Sequence, residues 1–462
     1  MAHITNLTIM NTEEQNSIHE TSLRILEEIG IRLEHDDIVS RMIKAGAKPG
    51  AGSQDVRIPR GMVREYLALA PGTVALDSRD GRDVTLASNS PSSYWTNPAM
   101  YLFADNERRP ATSSDLGDIA RLCDHLENVH GVIGMAIHDL PPKHRDFVGL
   151  RVIAENCRKH VRVLCFTPEG MEALVAMKPV FPGSWFSVGF TAHGPLRWTN
   201  LSLEIFQRSA GHGIPATING EPMAGVSGPV TIAGSAAVGN AEILAGIVVN
   251  QLLEPGRPMI YNLGLAHVFD MKTATAVTGG PENALFARIS AEMGRFYNIP
   301  SSSWVSTESC FDDQQAAMEK MFGFHTHSIN GVSLIWGMGQ LESELTLSPG
   351  QLVVDNEMIN YARRYQRGYA VNEETLQFDL VREVGISGSF LETDHTLMNF
   401  RGELFQPEIL NRKARDASSE RLEIVAGKRA RKIIAADTEE KMNRDESKEL
   451  RRIEEQFRSR IT

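Results

Sequence analysis

The chain is poor in cysteine, in aromatic residues and in positive charge. Its 462 residues include four cysteines, Cys123, Cys157, Cys165 and Cys310, with no CxxC pair. That spacing excludes a disulfide framework and fits a reduced, cytoplasmic protein. Phe, Trp and Tyr together make up 7% of the residues, so any region that gathers them stands out. The formal net charge is -11, which argues against nucleic acid as the main partner, because neutralising phosphates takes basic clusters. No unbroken run of about 18 apolar residues occurs, so no membrane span is predicted. The start, Met1 to Thr5, lacks the basic patch and apolar core of a signal peptide. Neither a GxGxxG dinucleotide fingerprint nor a GxSxG nucleophile elbow is present.

What remains is ordinary globular usage, 42% hydrophobic and 23% charged, arranged in a regular order. Residues 1–90 read as a small α+β unit. A capping box at Thr12 to Gln15 opens a helix that Gly30 stops, and further helices are expected from Asp36 and after Pro59. Val74 to Asp77 and Val84 to Leu86 alternate around Asp80-Gly81 as a hairpin.

From residue 91 to 368, short apolar strands alternate with helices. The strands centre on Tyr94-Trp95-Thr96, Val132 to Ala136, Val161 to Phe166, Trp185 to Phe190, Pro215 to Asn219, Pro258 to Asn262, Ser303 to Ser306 and Val332 to Trp336. Eight strand–helix units are what a closed (β/α)8 TIM barrel needs, and continuous apolar strands are what buried parallel pairing produces. The fold class is therefore α/β, with the N-terminal unit and, from 369 to 462, a C-terminal cap and a charged helical tail. The tail is expected to dock at Leu422, Val425 and Ile433.

Chemistry in such a barrel belongs on the loops after the strands. Tyr94, Trp95, Tyr101, Phe190, His193, Tyr261, Asn262, Trp304 and Trp336 lie at or near strand ends. Any one aromatic is more often core, but the set suggests a pocket of aromatic faces, which suits a quaternary ammonium that offers no hydrogen bonds. Acid–base candidates are Asp139, Glu221, Glu308, Asp312, Glu342 and Glu344; Glu308 and Asp312 read better as helix caps. His325 and His327 form an HxH on a helix and point to different faces, so no tightly bound metal is predicted.

Longer motifs carry a family resemblance. They are Glu221 to Gly234, Asn240 to Gly246, Gln251 to Gly256, Asp312 to Ala316 with Glu319-Lys320, Ser348 to Glu357, and His395-Thr396-Leu397 with Phe400-Arg401. On these the chain resembles the trimethylamine methyltransferase family over nearly its whole length. The resemblance implies a (β/α)8 barrel that passes a methyl group from a methylated amine to the cobalt of a corrinoid carried on a separate protein. Trimethylamine enzymes of the family use pyrrolysine. This chain has standard residues only and resembles the pyrrolysine-lacking branch, whose best-known activity is glycine betaine demethylation.

A quaternary ammonium is already an activated leaving group, so cob(I)alamin could displace its methyl directly and no general base is needed. The expected cage is Tyr94, Trp95, Trp304 and Trp336. Gln340 and His325 are the expected catalytic groups and, with His193 and Arg197, the candidates to bind the substrate's carboxylate. Proline betaine, carnitine and γ-butyrobetaine are alternative substrates for the same chemistry. A zinc-dependent barrel and a non-catalytic quaternary-amine binder are the rival classes. The expected partners are a corrinoid protein and, since barrels of this size often pair, a second copy of the chain.

Overall fold

The computed structural model describes residues 10–461, so the reading of Met1 to Thr5 lies outside the described residues. Its centre is a closed ring of eight strands. They are β1 (Ser93–Thr96), β2 (Gly131–Ile133), β3 (His160–Arg162), β4 (Phe186–Thr191), β5 (Ala216–Asn219), β6 (Met259–Gly264), β7 (Ser301–Trp304) and β8 (Leu334–Met338). Neighbours pair in parallel around the whole ring, with β8 closing on β1. The eight outer helices are α1 (Ser113–His125), α2 (Arg145–Asn156), α3 (Pro168–Met177), α4 (Asn200–Ser209), α5 (Ile232–Leu253), α6 (Pro281–Tyr297), α7 (Gln314–Ile329) and α8 (Pro349–Gln366). The chain is thus a TIM barrel, as its eight repeating units predict.

Period-two alternation sorts each strand's side chains. Phe190 of β4 points outward and stacks on Phe206 of α4, with ring centroids 4.0 Å apart. Tyr261 of β6 points outward and donates to Asn240 of α5 at 2.9 Å. The intervening residues face the lumen.

Several parts of the chain close around this ring. The hairpin Thr73–Leu76 with Val84–Ala87 buries Val74, Leu76 and Leu86 in one cluster with Trp95, Leu334 and Trp336. It bonds to residues just before the strands, Asp77 N to Ser184 O (3.1 Å) and Ser333 Oγ to Ala87 O (2.7 Å), so it plugs the N-terminal end of the barrel. At the other end the loops add sheets of their own. Tyr101–Ala104 and Glu107–Pro110, after β1, join Gln340–Leu341 and Thr346–Leu347, after β8, in four strands. Met223–Ala224, after β5, joins His267–Asp270 and Thr275–Val277, after β6, in three.

The first helix, Thr12–Arg24, is capped one residue earlier than the sequence pattern suggests. Asn11 is the N-cap and exchanges hydrogen bonds with Glu14. The N-terminal unit shares a sheet with the barrel's periphery, because Ile31–Leu33 pairs in parallel with Arg197–Trp198. Helix α5 is long and apolar enough by composition to cross a membrane, although it contains no unbroken run of about 18 apolar residues. Here 78% of its most apolar 18-residue stretch is buried inside the protein. In the charged tail, Leu422–Ala436 buries Ala426 and Ala430, with Leu422, Val425 and Ile433 packed beside them. Arg444–Arg460 buries Leu450, Ile453 and Phe457. The tail is therefore docked on the outer helices.

A buried ion pair fixes the end of β8. Lys320 of α7 reaches Asp355 of α8 at 2.6 Å and donates to the carbonyls of Gly337 (2.9 Å) and Gln340 (3.0 Å). Asp355 also accepts from Gly339 N at 2.6 Å. Both side chains are fully buried, so removing one strands the other's charge. Asp355→Ala is expected to cost about 3–5 kcal/mol, read as a lowered chemical-denaturation midpoint. The double variant Lys320→Met/Asp355→Leu should recover most of that loss.

Candidate functional site

Above the plug, the lumen wall carries three indoles. Trp95 of β1 stacks on His160 of β3 at 5.5 Å and 18°. That position is open because β2 presents Gly131, whose Cβ, if it had one, would lie 2.4 Å from the indole nitrogen of Trp95. Trp304 and Trp336 are register partners on adjacent strands, so their side chains stand side by side. Trp304 donates to Asn97 Oδ1 at 3.0 Å, whereas the buried indole N–H of Trp336 has no partner among the described residues.

The opposite wall is polar. Asn262 donates to Asn219 (2.9 Å), and Asn219 donates to Thr191 (3.0 Å). Arg162 of β3 is 7% exposed, and its guanidinium lies over Gly189 of β4, where a Cβ would sit 1.9 Å from Nη2. Burial lowers its pKa to about 10, so it stays charged at neutral pH. The buried hydroxyl of Thr217 on β5 has no partner among the described residues, nor has that of Ser302, which lies below Trp304 on β7.

Carboxylates gather where the strands end. Glu221 follows β5, and Glu344 sits in the tight turn after β8, where Glu342, Ser343 and Glu344 all have positive φ. The backbone carbonyl of Glu344 accepts from Asn97, the same residue that holds Trp304. Burial, then repulsion from Glu344 and Glu242, pushes Glu221 up to about 8. Burial alone raises Glu344 to about 7, and Glu242, which accepts from Leu196 N at 2.8 Å, also to about 7. Poorly solvated carboxylates that repel one another at a rim are a natural seat for a cation.

Of the residues singled out in the sequence, the structure brings together Trp95, Trp304 and Trp336. Tyr94 alternates with Trp95 and therefore faces outward. Its ring meets Phe324 of α7 edge-on at 6.1 Å, under the Arg363 guanidinium. Gln340 is buried, but both ends of its amide are taken by the Thr307 backbone, at 2.9 and 3.2 Å. His325 lies on α7, edge-on to Tyr365 of α8 at 5.2 Å, on the outer helical layer. Arg197 is exposed in the strand shared with the N-terminal unit, 3.8 Å from Glu34. His193 is exposed, its N–H bonded to Arg197 O at 2.9 Å. Helix α7 is capped by Asp313 rather than Asp312, and Glu308 instead accepts from Thr278 N and Gly279 N.

Arg162 and Thr217 went unmarked in the sequence. Their signal was a charged residue inside the apolar strand Val161-Arg162-Val163, where alternation forces one side chain inward. Among the described residues, no group of three or more His, Cys, Asp or Glu is placed to hold a metal ion.

The rim carboxylates make stability depend on pH. With folded pKa values above the usual 4.5, Glu221 and Glu344 hold protons that the unfolded chain releases. Stability therefore falls as pH rises from about 4.5 to about 8. Glu221→Gln/Glu344→Gln is expected to raise the melting temperature at pH 8 and to leave it nearly unchanged at pH 4.5, as calorimetry across that range would read.

Comparison with known proteins agrees with this architecture. The family model described as trimethylamine methyltransferase (MTTB) matches residues 1–458. A trimethylamine methyltransferase MttB of Desulfitobacterium hafniense (strain DSM 10664 / DCB-2) is 29% identical over 420 residues, covering 87% of this chain and 84% of that protein. A glycine betaine methyltransferase of Desulfitobacterium hafniense (strain Y51) is 28% identical over 437 residues, covering 90% and 89%. The crystal structure of the Methanosarcina barkeri monomethylamine methyltransferase superposes with a TM-score of 0.55 at 12% identity, covering 94% of this chain and 88% of that one. The chain belongs to the trimethylamine methyltransferase family.

Proposed function

We propose that this chain transfers a methyl group from a quaternary amine, glycine betaine, to the cob(I)alamin of a separate corrinoid protein in the cytoplasm. The observation that carries this reading is the pair Trp304 and Trp336, side by side on the lumen wall beneath the rim carboxylates Glu221 and Glu344. A trimethylammonium carries a diffuse positive charge with no N–H to donate. Indole faces attract such a charge electrostatically, and a cation beside the rim favours ionisation of Glu221 and Glu344, whose carboxyls burial otherwise keeps protonated. The relative named glycine betaine methyltransferase supports the choice of amine.

The interior of an eight-stranded barrel holds side chains or one small ligand, not a macrocycle. The corrinoid is therefore a co-substrate that approaches from outside the strand ends, and its reduced cobalt supplies the nucleophile. The protein's own part is to bind and orient. The indoles hold the ammonium with one methyl turned outward, and the plugged lower end keeps water from entering behind it. As the methyl leaves, the electron pair of the breaking C–N bond stays on nitrogen, giving dimethylglycine. Positive charge disappears from nitrogen in this step, so no proton transfer is required.

The test is spectroscopic. Protein, glycine betaine and cob(I)alamin mixed anaerobically should show loss of the cob(I)alamin band and formation of dimethylglycine. Activity with proline betaine, carnitine or γ-butyrobetaine alone would move the substrate within the class, and inactivity with every quaternary amine overturns the reading. Trp336→Ala is expected to weaken glycine betaine binding about 5- to 30-fold by calorimetry, the range that one to two kcal/mol of cation–π attraction implies.

A further inference from the structure

Arg162 is a cation buried without a counter-charge. Among the described residues its one hydrogen bond runs from Nη1 to the carbonyl of Val163, and no carboxylate pairs with it. Arg257 is the instructive contrast. It is more deeply buried, and its Nη1 has no partner among the described residues, but it donates to Ile214 O (2.8 Å) and Ser209 Oγ (3.0 Å) and lies 3.7 Å from Glu254. A buried guanidinium that keeps Nε and Nη2 free is costly unless an anion arrives from outside.

Three further observations point to where that anion sits. The guanidinium lies over Gly189, the one residue type that leaves the space open. The register partner of Gly189 is Thr217, whose buried hydroxyl has no partner among the described residues. Free donors from β3 and β5 therefore meet over the same stretch of wall. Finally, in the ring order β3 stands four strands from β7, so Arg162 and Trp304 occupy opposite walls of the lumen.

We propose that Arg162 and Thr217 bind the carboxylate of a zwitterionic substrate whose trimethylammonium rests against Trp304 and Trp336 across the lumen. This rests on the quaternary-amine reading above and narrows it. The site takes amines that carry a carboxylate, and it discriminates against choline and tetramethylammonium, which leave the guanidinium uncompensated. Arg162 offers a planar fork matched to a carboxylate, which a lysine replaces only in part. It is a substrate-binding residue, and it takes the role that sequence position had suggested for His193, Arg197, His325 and Gln340.

Calorimetric titration of the full chain with glycine betaine and with tetramethylammonium tests this. Wild type should bind glycine betaine more tightly. Arg162→Gln should weaken glycine betaine at least 30-fold and leave tetramethylammonium within about twofold, which also reports an intact cage and fold. Arg162→Lys should recover part of the loss, and Thr217→Val should weaken glycine betaine alone, by about fivefold. Should Arg162→Gln not fold, Gly189→Ala, whose methyl displaces the guanidinium, is expected to give the same selective loss. Unchanged glycine betaine affinity in the arginine variants, or equal weakening of both ligands, overturns the proposal. Wild type that binds tetramethylammonium and not glycine betaine overturns the carboxylate anchor alone; wild type that binds neither overturns the cage as well.

Discussion

Closure of eight parallel strands into one ring is the constraint on which the rest depends. Closure leaves no sheet edge and gives every strand an inner and an outer face. The inner face has room for few large side chains, so each one placed there excludes others. Gly131 and Gly189 are where that exclusion shows. Without a side chain at Gly131, Trp95 can turn across the lumen onto His160; without one at Gly189, the Arg162 guanidinium can lie flat on the wall. Two missing side chains thus place the largest apolar group and the charged group in the same lumen.

The two ends of the ring are treated differently. The N-terminal end is stoppered by an apolar hairpin that shares a hydrophobic cluster with the tryptophans. The C-terminal end carries small sheets made from paired loops, and these sheets hold Glu344 beside Asn97. The Lys320–Asp355 pair braces the exit of β8 from the outside, fixing the carbonyls of Gly337 and Gln340 just past Trp336. Several residues in the motifs that mark the family, Lys320 and Asp355 among them, are in this bracing rather than in the lumen.

The lumen is built from attraction without proton transfer. Indole faces favour a cation, and a guanidinium and a hydroxyl on the far wall favour an anion. Such an arrangement would orient the proposed zwitterion along one line across the barrel. It suits a reaction whose leaving group becomes neutral as the bond breaks, because the enzyme then needs position more than acid–base chemistry.

The sequence alone determined the ring. Eight apolar segments at helix-separated intervals have few other ways to bury both faces, and each proposed strand overlaps an observed one. It also marked Trp95, Trp304 and Trp336, since large aromatics in central strands must go either inward or onto a helix. It could not say which, and Tyr94 shows why: one step along a strand exchanges lumen for helix contact. Position along the chain likewise did not distinguish His193, Arg197 and Gln340 near strand ends, or His325 on α7, whose directions are set by the N-terminal strand, the Thr307 backbone and α8. The rim sheets escaped notice because their strands are two to four residues long and pair between distant loops. Only the tertiary structure decided that Arg162 lacks a counter-charge, because whether a charge is paired depends on which walls the closed ring brings face to face.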